Sequence, residues 1–556
     1  MEREILLKHA LLNAIQHDGK ANVQAVLGKI ISENIKVRDK IKEIIPEIKK
    51  IVIEVNSLSL DEQKDRIKEM GFEVEKKKVE EVKELPPLPN IKKYKKIVMR
   101  MAPFPSGPLH IGNARMAILN DEYVKKYKGK LLLVIDDTIG SEAKIPTKEA
   151  YKLVIEGLKW LGVKWHKIIY KSDRMKLFYE WTEKLIKLGY AYVCECPKEA
   201  LRESREKGLE CKCRKQNPKT NMEKWEKMLK GGYEMGQATV RLKTDIKHPN
   251  PAFRDRVLLR ISNREHPRVG KKYCVWPMLE FSWAIDDHFL GVTHILRGKD
   301  LVIEDMMEEF IWNLLGWKHP EFIHHGMLRF EGLKLSKTQA RMLIDKGIYD
   351  GWDDPRTWSL QSFKRRGVLP EVIRNFILNF GLSLNDVSVP VEILYSENRK
   401  LIDPKVNRYF AVIDPVQIKI VNAPKVKKVR VRLHPDFPRR GFREIPVNTD
   451  KIFISRQDFE KFKGNELRLI GLCNVKLDKN AEFTSKEVTP EMQKIQWVSE
   501  KNIPINIIME DNNIVKCIGE PEIKKLKPND GLQLVRFGFC RVDQTKPKFI
   551  LYFTHK

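Results

Sequence analysis

Apolar positions in the first seventy or so residues recur at helical spacing. Leu11, Ala14 and Ile15 share one face, as do Val26, Ile30 and Ile31, which predicts a helical N-terminal segment. Residues 73–96 break that pattern with dense Lys and Glu and with Pro86, Pro87 and Pro89, a composition suited to a tether between domains. At Lys96 the periodicity changes. KIVMRM is a short apolar strand that runs into Pro103, Pro105, Gly107 and Pro108, LHIGNARMAILNDEYVKKY reads as a helix, and LLLVID (131–136) is a second buried strand. Thr147 stands where it caps a further helix whose Tyr151, Val154, Leu158 and Leu161 line one face. Strand, helix, strand, helix in this order predicts a parallel sheet carrying helices. Beyond about residue 400 the period drops to two: Val416, Ile418 and Ile420 alternate with polar neighbours, and Val429, Val431 and Leu433 alternate with Lys428, Arg430 and Arg432. Short strands separated by turn residues predict an all-β C-terminal part built of barrels.

Length and charge narrow the class. At about 100–200 residues per domain, 556 residues make three to five domains. Apolar residues at 42% and charged ones at 32% fit a folded chain rather than a disordered one. Lys and Glu enrichment also marks heat-adapted proteins, but it favours neither sign, whereas 104 basic against 75 acidic residues leaves a net charge of +29. A polyanionic partner is the better reading, and nucleic acid is the commonest polyanion. No uninterrupted apolar run of about 20 residues offers a membrane span, and the N-terminus lacks an apolar stretch before a cleavage site, so a cytoplasmic protein is expected. Half of the eight cysteines fall in two pairs, Cys194-x-Cys196 and Cys211-x-Cys213, with fourteen residues between the pairs. Four soft ligands in two close pairs suit tetrahedral zinc, the alternative being four thiols that are merely buried or exposed. The loop between them, EALRESREKGLE, is too charged to form its own core and needs a staple. Cys274, Cys473, Cys517 and Cys540 are scattered and read as packing residues.

Two segments carry nucleotide chemistry. Pro105-Ser106-Gly107-Pro108-Leu109-His110-Ile111-Gly112-Asn113 joins a strand to a helix. Gly112 admits a ligand close to backbone, and a helix N-terminus offers unpaired N–H groups to phosphate. An ordinary strand–helix turn with one stray histidine is the alternative for this segment alone. Far downstream, Lys334-Leu335-Ser336-Lys337-Thr338 sets two ammonium groups on a loop able to embrace a triphosphate; a solvated basic loop is the plainer reading.

Together the two segments resemble the signature pair of class I aminoacyl-tRNA synthetases. Longer stretches, among them ALLNAIQHDGKANVQAVLGKIISEN, ATVRLKTDIKHPNPAFRD, IDDHFLGVTHILRGKD, HPDFPRRGFREIPV and NRYFAVIDPV, resemble glutamyl-tRNA synthetases of the archaeal type, in order and over nearly the whole chain. The resemblance implies a multidomain fold. It consists of a helical N-terminal extension and linker (1–90), a Rossmann-like α/β catalytic domain in two halves (91–190 and 271–340), an inserted zinc-bearing acceptor-end domain (191–270), a helical stem-contact region (341–395), and β-barrel anticodon-binding domains (396–556). It implies ATP with Mg2+, a structural Zn2+ on Cys194, Cys196, Cys211 and Cys213, and glutamate and tRNA as substrates.

Site roles follow from the same resemblance. His110, Asn113, Ser336 and Lys337 would be catalytic, and Pro105, Gly107, Gly112 and Lys334 would complete the ATP site, stabilising charge on the α-phosphate as pyrophosphate leaves. Arg100 and Arg297 would hold the substrate's carboxylates and Asp136 its α-ammonium; a structural ion pair is the alternative for each. Val134, Ile135, Ile139 and Gly140 depart from the family's pattern. So do Leu279, where a tyrosine is usual, and Trp283, where a smaller residue is usual, so these positions bear on amino-acid selection. Trp352, Arg356, Arg365, Arg366, Arg430, Arg432 and Arg440 would face tRNA, or simply be solvated. The runner-up is a glutaminyl enzyme. A tRNA-binding relative that has lost catalysis is opposed by the retained His110, Lys337 and Asp136, and a nucleotidyltransferase acting on a small molecule is opposed by the basic C-terminal part.

Overall fold

The computed structural model describes residues 3–16, 19, 21–33, 41–71, 84–142, 144–333, 336–489 and 491–556. Residues 1–84 and 85–556 form two separate units.

The N-terminal unit holds four helices, Arg3–Gln16 (α1), Val23–Glu33 (α2), Ile41–Ser57 (α3) and Leu60–Glu69 (α4). Leu11 and Ala14 are buried with Leu6 and Ala10, and Val26 and Ile30 join Ile44, Ile48, Ile51 and Val55 in one core, so the expected stripes do face inward. The side chain of Ile31 lies outside the described residues. Ser59 and Glu62 cap α4 reciprocally. Residues 73–83 of the expected tether lie outside the described residues, and Leu85 and Leu88 anchor its later part in the core of the second unit.

The second unit is built on five parallel strands: Val98–Met101 (β1), Lys130–Ile135 (β2), Lys167–Tyr170 (β3) and, much later, His294–Gly298 and Glu321–His325. Between the two halves an antiparallel sheet intervenes, formed by Ala191–Cys194 (β4), Thr239–Leu242 (β5), Val257–Ile261 (β6) and Val275–Pro277 (β7). Its last strand carries the insertion past the expected limit at residue 270. With His294–Gly298 as β8 and Glu321–His325 as β9, the parallel sheet runs β3-β2-β1-β8-β9. β2 reads KLLLVI with all but its first residue buried, as a strand covered on both faces must. The strands stay parallel, but the order in which they are added reverses between β1 and β8, and ligands in such folds bind beyond the C-terminal strand ends at that point.

Helices Ile111–Lys126 (α5) and Lys148–Trp160 (α6) follow β1 and β2, and Met175–Lys187 (α7) follows β3. The insertion adds Lys198–Lys207 (α8) and Pro218–Leu229 (α9), and Leu279–Phe289 (α10) and Val302–Leu315 (α11) flank β8. Lys337–Asp345 (α12), Leu360–Arg366 (α13), Pro370–Phe380 (α14) and Val391–Ile402 (α15) lead out of the sheet.

Of the C-terminal strands, seven form one sheet whose edge strands, Asn407–Tyr409 and Ala411–Ile413, are separated only by Phe410, so the sheet nearly closes into a barrel. The segment inserted between Ala411–Ile413 and the later strands of that sheet is different from the expected second barrel: its strands divide among sheets of three and five strands and a two-stranded hairpin, Lys428–Arg432 with Phe442–Pro446.

Candidate active site

β1 delivers the chain into the loop 102–110, and His110 caps α5. Its Nδ1 accepts from Gly112 N at 3.2 Å, and Asn113 Oδ1 accepts from His110 N at 3.4 Å. Because Nδ1 is an acceptor, the neutral ring carries its proton on Nε2 and can donate from there. Burial, reinforced by the nearby Lys337 ammonium, pushes the His110 imidazole down to about 3, so it is neutral at physiological pH. A side chain at Gly112 would be tight: a Cβ would lie 3.1 Å from the His110 ring and 3.4 Å from Leu328 O, so it would press on the catalytic candidate His110. A Cβ on Gly107 would meet the Trp352 ring at 2.9 Å. That close approach needs glycine. Trp352, expected to face tRNA, is 8% exposed and packs against Gly107 of this loop.

Ser336 caps α12, accepting from Gln339 N at 3.3 Å, and Lys337 is the first residue of that helix. A small hollow lined by His110, Ser336, Lys337 and Trp352 joins the two sequence motifs. Burial, with Lys144 and Arg341 near, lowers the Lys337 ammonium to about 8. Arg341, one turn along α12 from Lys337, fastens this helix to the loop by donating to Ser106 O, with Ile145 O at 3.4 Å. No sequence motif marked Arg341. Pro105 O accepts from Thr147 N at 3.0 Å, which ties the loop to the start of α6. Lys334 lies outside the described residues.

A cavity of about 800 Å³ opens at the β1–β8 switch. Arg100, Trp283 and Arg297 line one end and His110, Gly112 and Asn113 another. Among the described residues Asp136 and Leu279 are not in this lining, although both were expected there. Asp136 is only 1% exposed and its Oδ1 lies 3.3 Å from the Lys171 ammonium. Asp137, on the opposite face of the strand end, accepts from Ser172 N, Ser172 Oγ and Tyr151 OH at 2.9, 2.7 and 3.0 Å.

The cavity floor is a dense charge cluster. Arg100 donates from Nε and Nη2 to the two oxygens of Asp287 at 2.9 and 2.7 Å. Arg297 donates to Asp305 at 2.6 Å and to Glu308 at 2.8 Å, and Arg174 pairs with Asp286. Burial raises Asp286 to about 6 and Glu308 to about 8 despite these partners. Buried carboxylates in this state shed part of the negative charge that the arginines would otherwise face. Lys171 is fully buried, donates to Ser282 Oγ at 2.7 Å, and was missed in the sequence because it lies in none of the motifs.

The four paired cysteines do come together. Their sulfurs all lie within 4.8 Å of one another, with Cys194–Cys211 at 3.7 Å and Cys196–Cys213 at 3.8 Å. The remaining candidates divide by exposure. Arg430 and Arg432 point outward from the C-terminal hairpin, with Arg430 over the exposed Phe442 ring at 4.7 Å. Arg440 donates to Asn407 Oδ1 at 3.0 Å, Arg356 is tied to Asp354, and Arg365 bridges Asp353 and Asp543. Arg366, expected to face tRNA, is 1% exposed and donates to Phe553 O and Thr554 O, tying α13 to the last strand.

The chain is similar along nearly its whole length to known proteins. Residues 96–404 match the family described as tRNA synthetases class I (E and Q), catalytic domain, and residues 406–495 and 494–543 match that family's anti-codon binding domain. The Glutamate--tRNA ligase of Pyrococcus abyssi is 45% identical over 569 aligned positions, covering 99% of each chain. That of Methanocaldococcus jannaschii is 42% identical over 564 positions, covering 100% of each.

Proposed function

The chain belongs to the class I tRNA synthetases of the E and Q type, and from that premise we propose that it ligates glutamate to tRNA. Members of the class use ATP with Mg2+. The α-carboxylate of glutamate attacks the α-phosphorus of ATP, the bond to the bridging oxygen breaks, and pyrophosphate leaves. A terminal ribose hydroxyl of tRNA then attacks the acyl carbon, and AMP carries away the bonding pair. The substrate is its own nucleophile, so the protein's task is positioning and charge stabilisation. The Lys337 ammonium and the N-terminus of α12 meet the triphosphate. His110 donates from Nε2 without carrying a charge of its own, and Asn113 orients the nucleotide. Arg100 and Arg297 answer the carboxylates of glutamate from the other end of the cavity.

The observation that carries this reading is that two motifs so distant in sequence meet, His110 against Lys337, beside a cavity walled by Arg100 and Arg297. Pyrophosphate exchange with tRNA present tests it. His110→Ala and Lys337→Ala each reduce exchange by about a hundredfold or more, as loss of a charge-stabilising donor does elsewhere. Near-normal exchange in both variants contradicts the assignment.

Two further parts complete the proposal. Zinc with bonds of about 2.3 Å in a tetrahedron sets sulfurs about 3.8 Å apart, the spacing of the close sulfur pairs here. Cys194, Cys196, Cys211 and Cys213 would therefore hold one structural zinc in the insertion, which faces the acceptor end of tRNA. The exposed Arg430 and Arg432 would meet the anticodon loop, where unpaired bases are read by stacking and edge contacts.

A further inference from the structure

A buried cation stands beside the four paired cysteines. Pairing of β4 with β5 sets Arg241 directly across from Tyr192, and so on the same face of the sheet as Cys194. Arg241 is 1% exposed, and its Cζ lies 5.6 Å from the Tyr192 ring centroid. Its Nη1 donates to the sulfurs of Cys194 and Cys211, each at 3.9 Å. Its Nε donates to Asp255 O at 2.9 Å, and its Nη2 has no partner.

Ordinary charge pairing does not account for this guanidinium. Among the described residues it forms no ion pair with a carboxylate. Asp255 touches it only through the backbone oxygen, because the carboxylate accepts from Tyr192 OH, Arg214 Nε and Thr244 N at 2.7, 2.9 and 3.0 Å. Burial and the charges of Arg241, Arg256 and Arg260 push the Arg205 guanidinium down, so the surroundings of Arg241 include like charge. An uncompensated buried cation is strongly destabilising. What Arg241 does touch is two of the four sulfurs. As thiols these are neutral and leave the cation uncompensated. As zinc ligands they are thiolates, and four thiolates outweigh one divalent ion, so the filled site is anionic. At 3.9 Å the contacts are long, but attraction between a buried cation and an anionic cluster needs no short hydrogen bond.

We propose that Arg241 is a positioning residue of the metal site, a buried cation that compensates the negative charge of the zinc-filled four-cysteine cluster and thereby strengthens zinc binding. This role rests on zinc being held by Cys194, Cys196, Cys211 and Cys213. A bracing role alone would ask of Arg241 only that it tie β5 to Asp255 O, and zinc affinity would not depend on its charge.

Zinc binding to the full-length protein tests this. Wild type, Arg241→Gln and Arg241→Lys are stripped of metal under reducing conditions, and zinc affinity is read by competition with a chromophoric chelator of known strength. Glutamine keeps an amide able to donate to Asp255 O but carries no charge, whereas lysine keeps the charge. Losing a group that supports metal ligands costs about 10–100-fold in affinity, so Arg241→Gln binds zinc about 10–100-fold more weakly than wild type, and Arg241→Lys recovers most of that loss. Cobalt in place of zinc retains its sulfur-to-metal charge-transfer absorption in Arg241→Gln at saturating metal, because the four thiolates still surround the ion. A loss below about tenfold in Arg241→Gln overturns the proposal, as does an equal loss in Arg241→Lys or a cobalt spectrum without that absorption, since each assigns Arg241 a bracing role. If Arg241→Gln does not fold, Arg241→Met, which buries no polar head, carries the same expectation. Wild type that takes up no zinc is a distinct result, because it removes the metal site itself whatever the variants do.

Discussion

Replacing Arg341 by methionine isolates the clamp between the two nucleotide segments. Methionine keeps an unbranched apolar stem, so packing beside Trp352, 6.0 Å from the guanidinium, is largely preserved while both backbone acceptors are lost. Of these, Ile145 O at 3.4 Å is at the limit of a hydrogen bond, so the contact to Ser106 O carries most of the effect. A hydrogen bond from a charged group is worth about 1.5–3 kcal/mol, and partial exposure of Arg341 places it near the lower end. A loss of about 1.5–2 kcal/mol corresponds to roughly 10–30-fold in rate. Because Arg341 rides on the same helix as Lys337, the loss falls on kcat/KM for ATP in pyrophosphate exchange, while the KM for glutamate stays near its wild-type value. Circular dichroism and thermal melting establish that the variant is folded. A folded Arg341→Met protein whose kcat/KM for ATP lies within about twofold of wild type refutes the clamp.

The remaining predictions concern charge and metal. Lys337 is lowered to about 8, so free enzyme loses this ammonium as pH rises through that value, and KM for ATP climbs between about pH 7 and 9. Lys337→Arg removes the climb because a guanidinium stays charged, and an equal pH dependence in the two proteins rules out Lys337 as its source. Elemental analysis of protein purified without chelator finds one zinc per chain, and Cys194→Ser impairs tRNA charging more than ATP binding; protein free of zinc ends that part of the account.

Much of this was legible in the chain because periodicity reports burial. Ile418 and Ile420 of the C-terminal alternation and Leu11 and Ala14 of the first helical stripe are buried, with Val416 and Ile15 half-buried, since only one face of each element has a core to meet. His110 and Lys337 were legible because phosphate chemistry constrains short motifs. What escaped were the residues whose role depends on a distant partner. Lys171 is one of many lysines in the sequence, and only the fold brings it under Trp283 and against Asp136. Trp352 and Arg366 sit in polar, charged sequence and read as surface, yet one roofs Gly107 and the other satisfies carbonyls of the last strand. Asp136 and Asp137 illustrate the same limit, since which of two adjacent carboxylates faces a ligand is decided by side-chain packing around the strand end.

The most direct test charges total tRNA with each of the twenty amino acids in turn and sequences the tRNA that is acylated. Glutamate should give the highest kcat/KM, because Arg100 and Arg297, although paired with Asp287, Asp305 and Glu308, present guanidinium groups to the cavity that a carboxylate side chain complements and a neutral one does not. Faster charging of any neutral amino acid, or no charging with glutamate, contradicts the account.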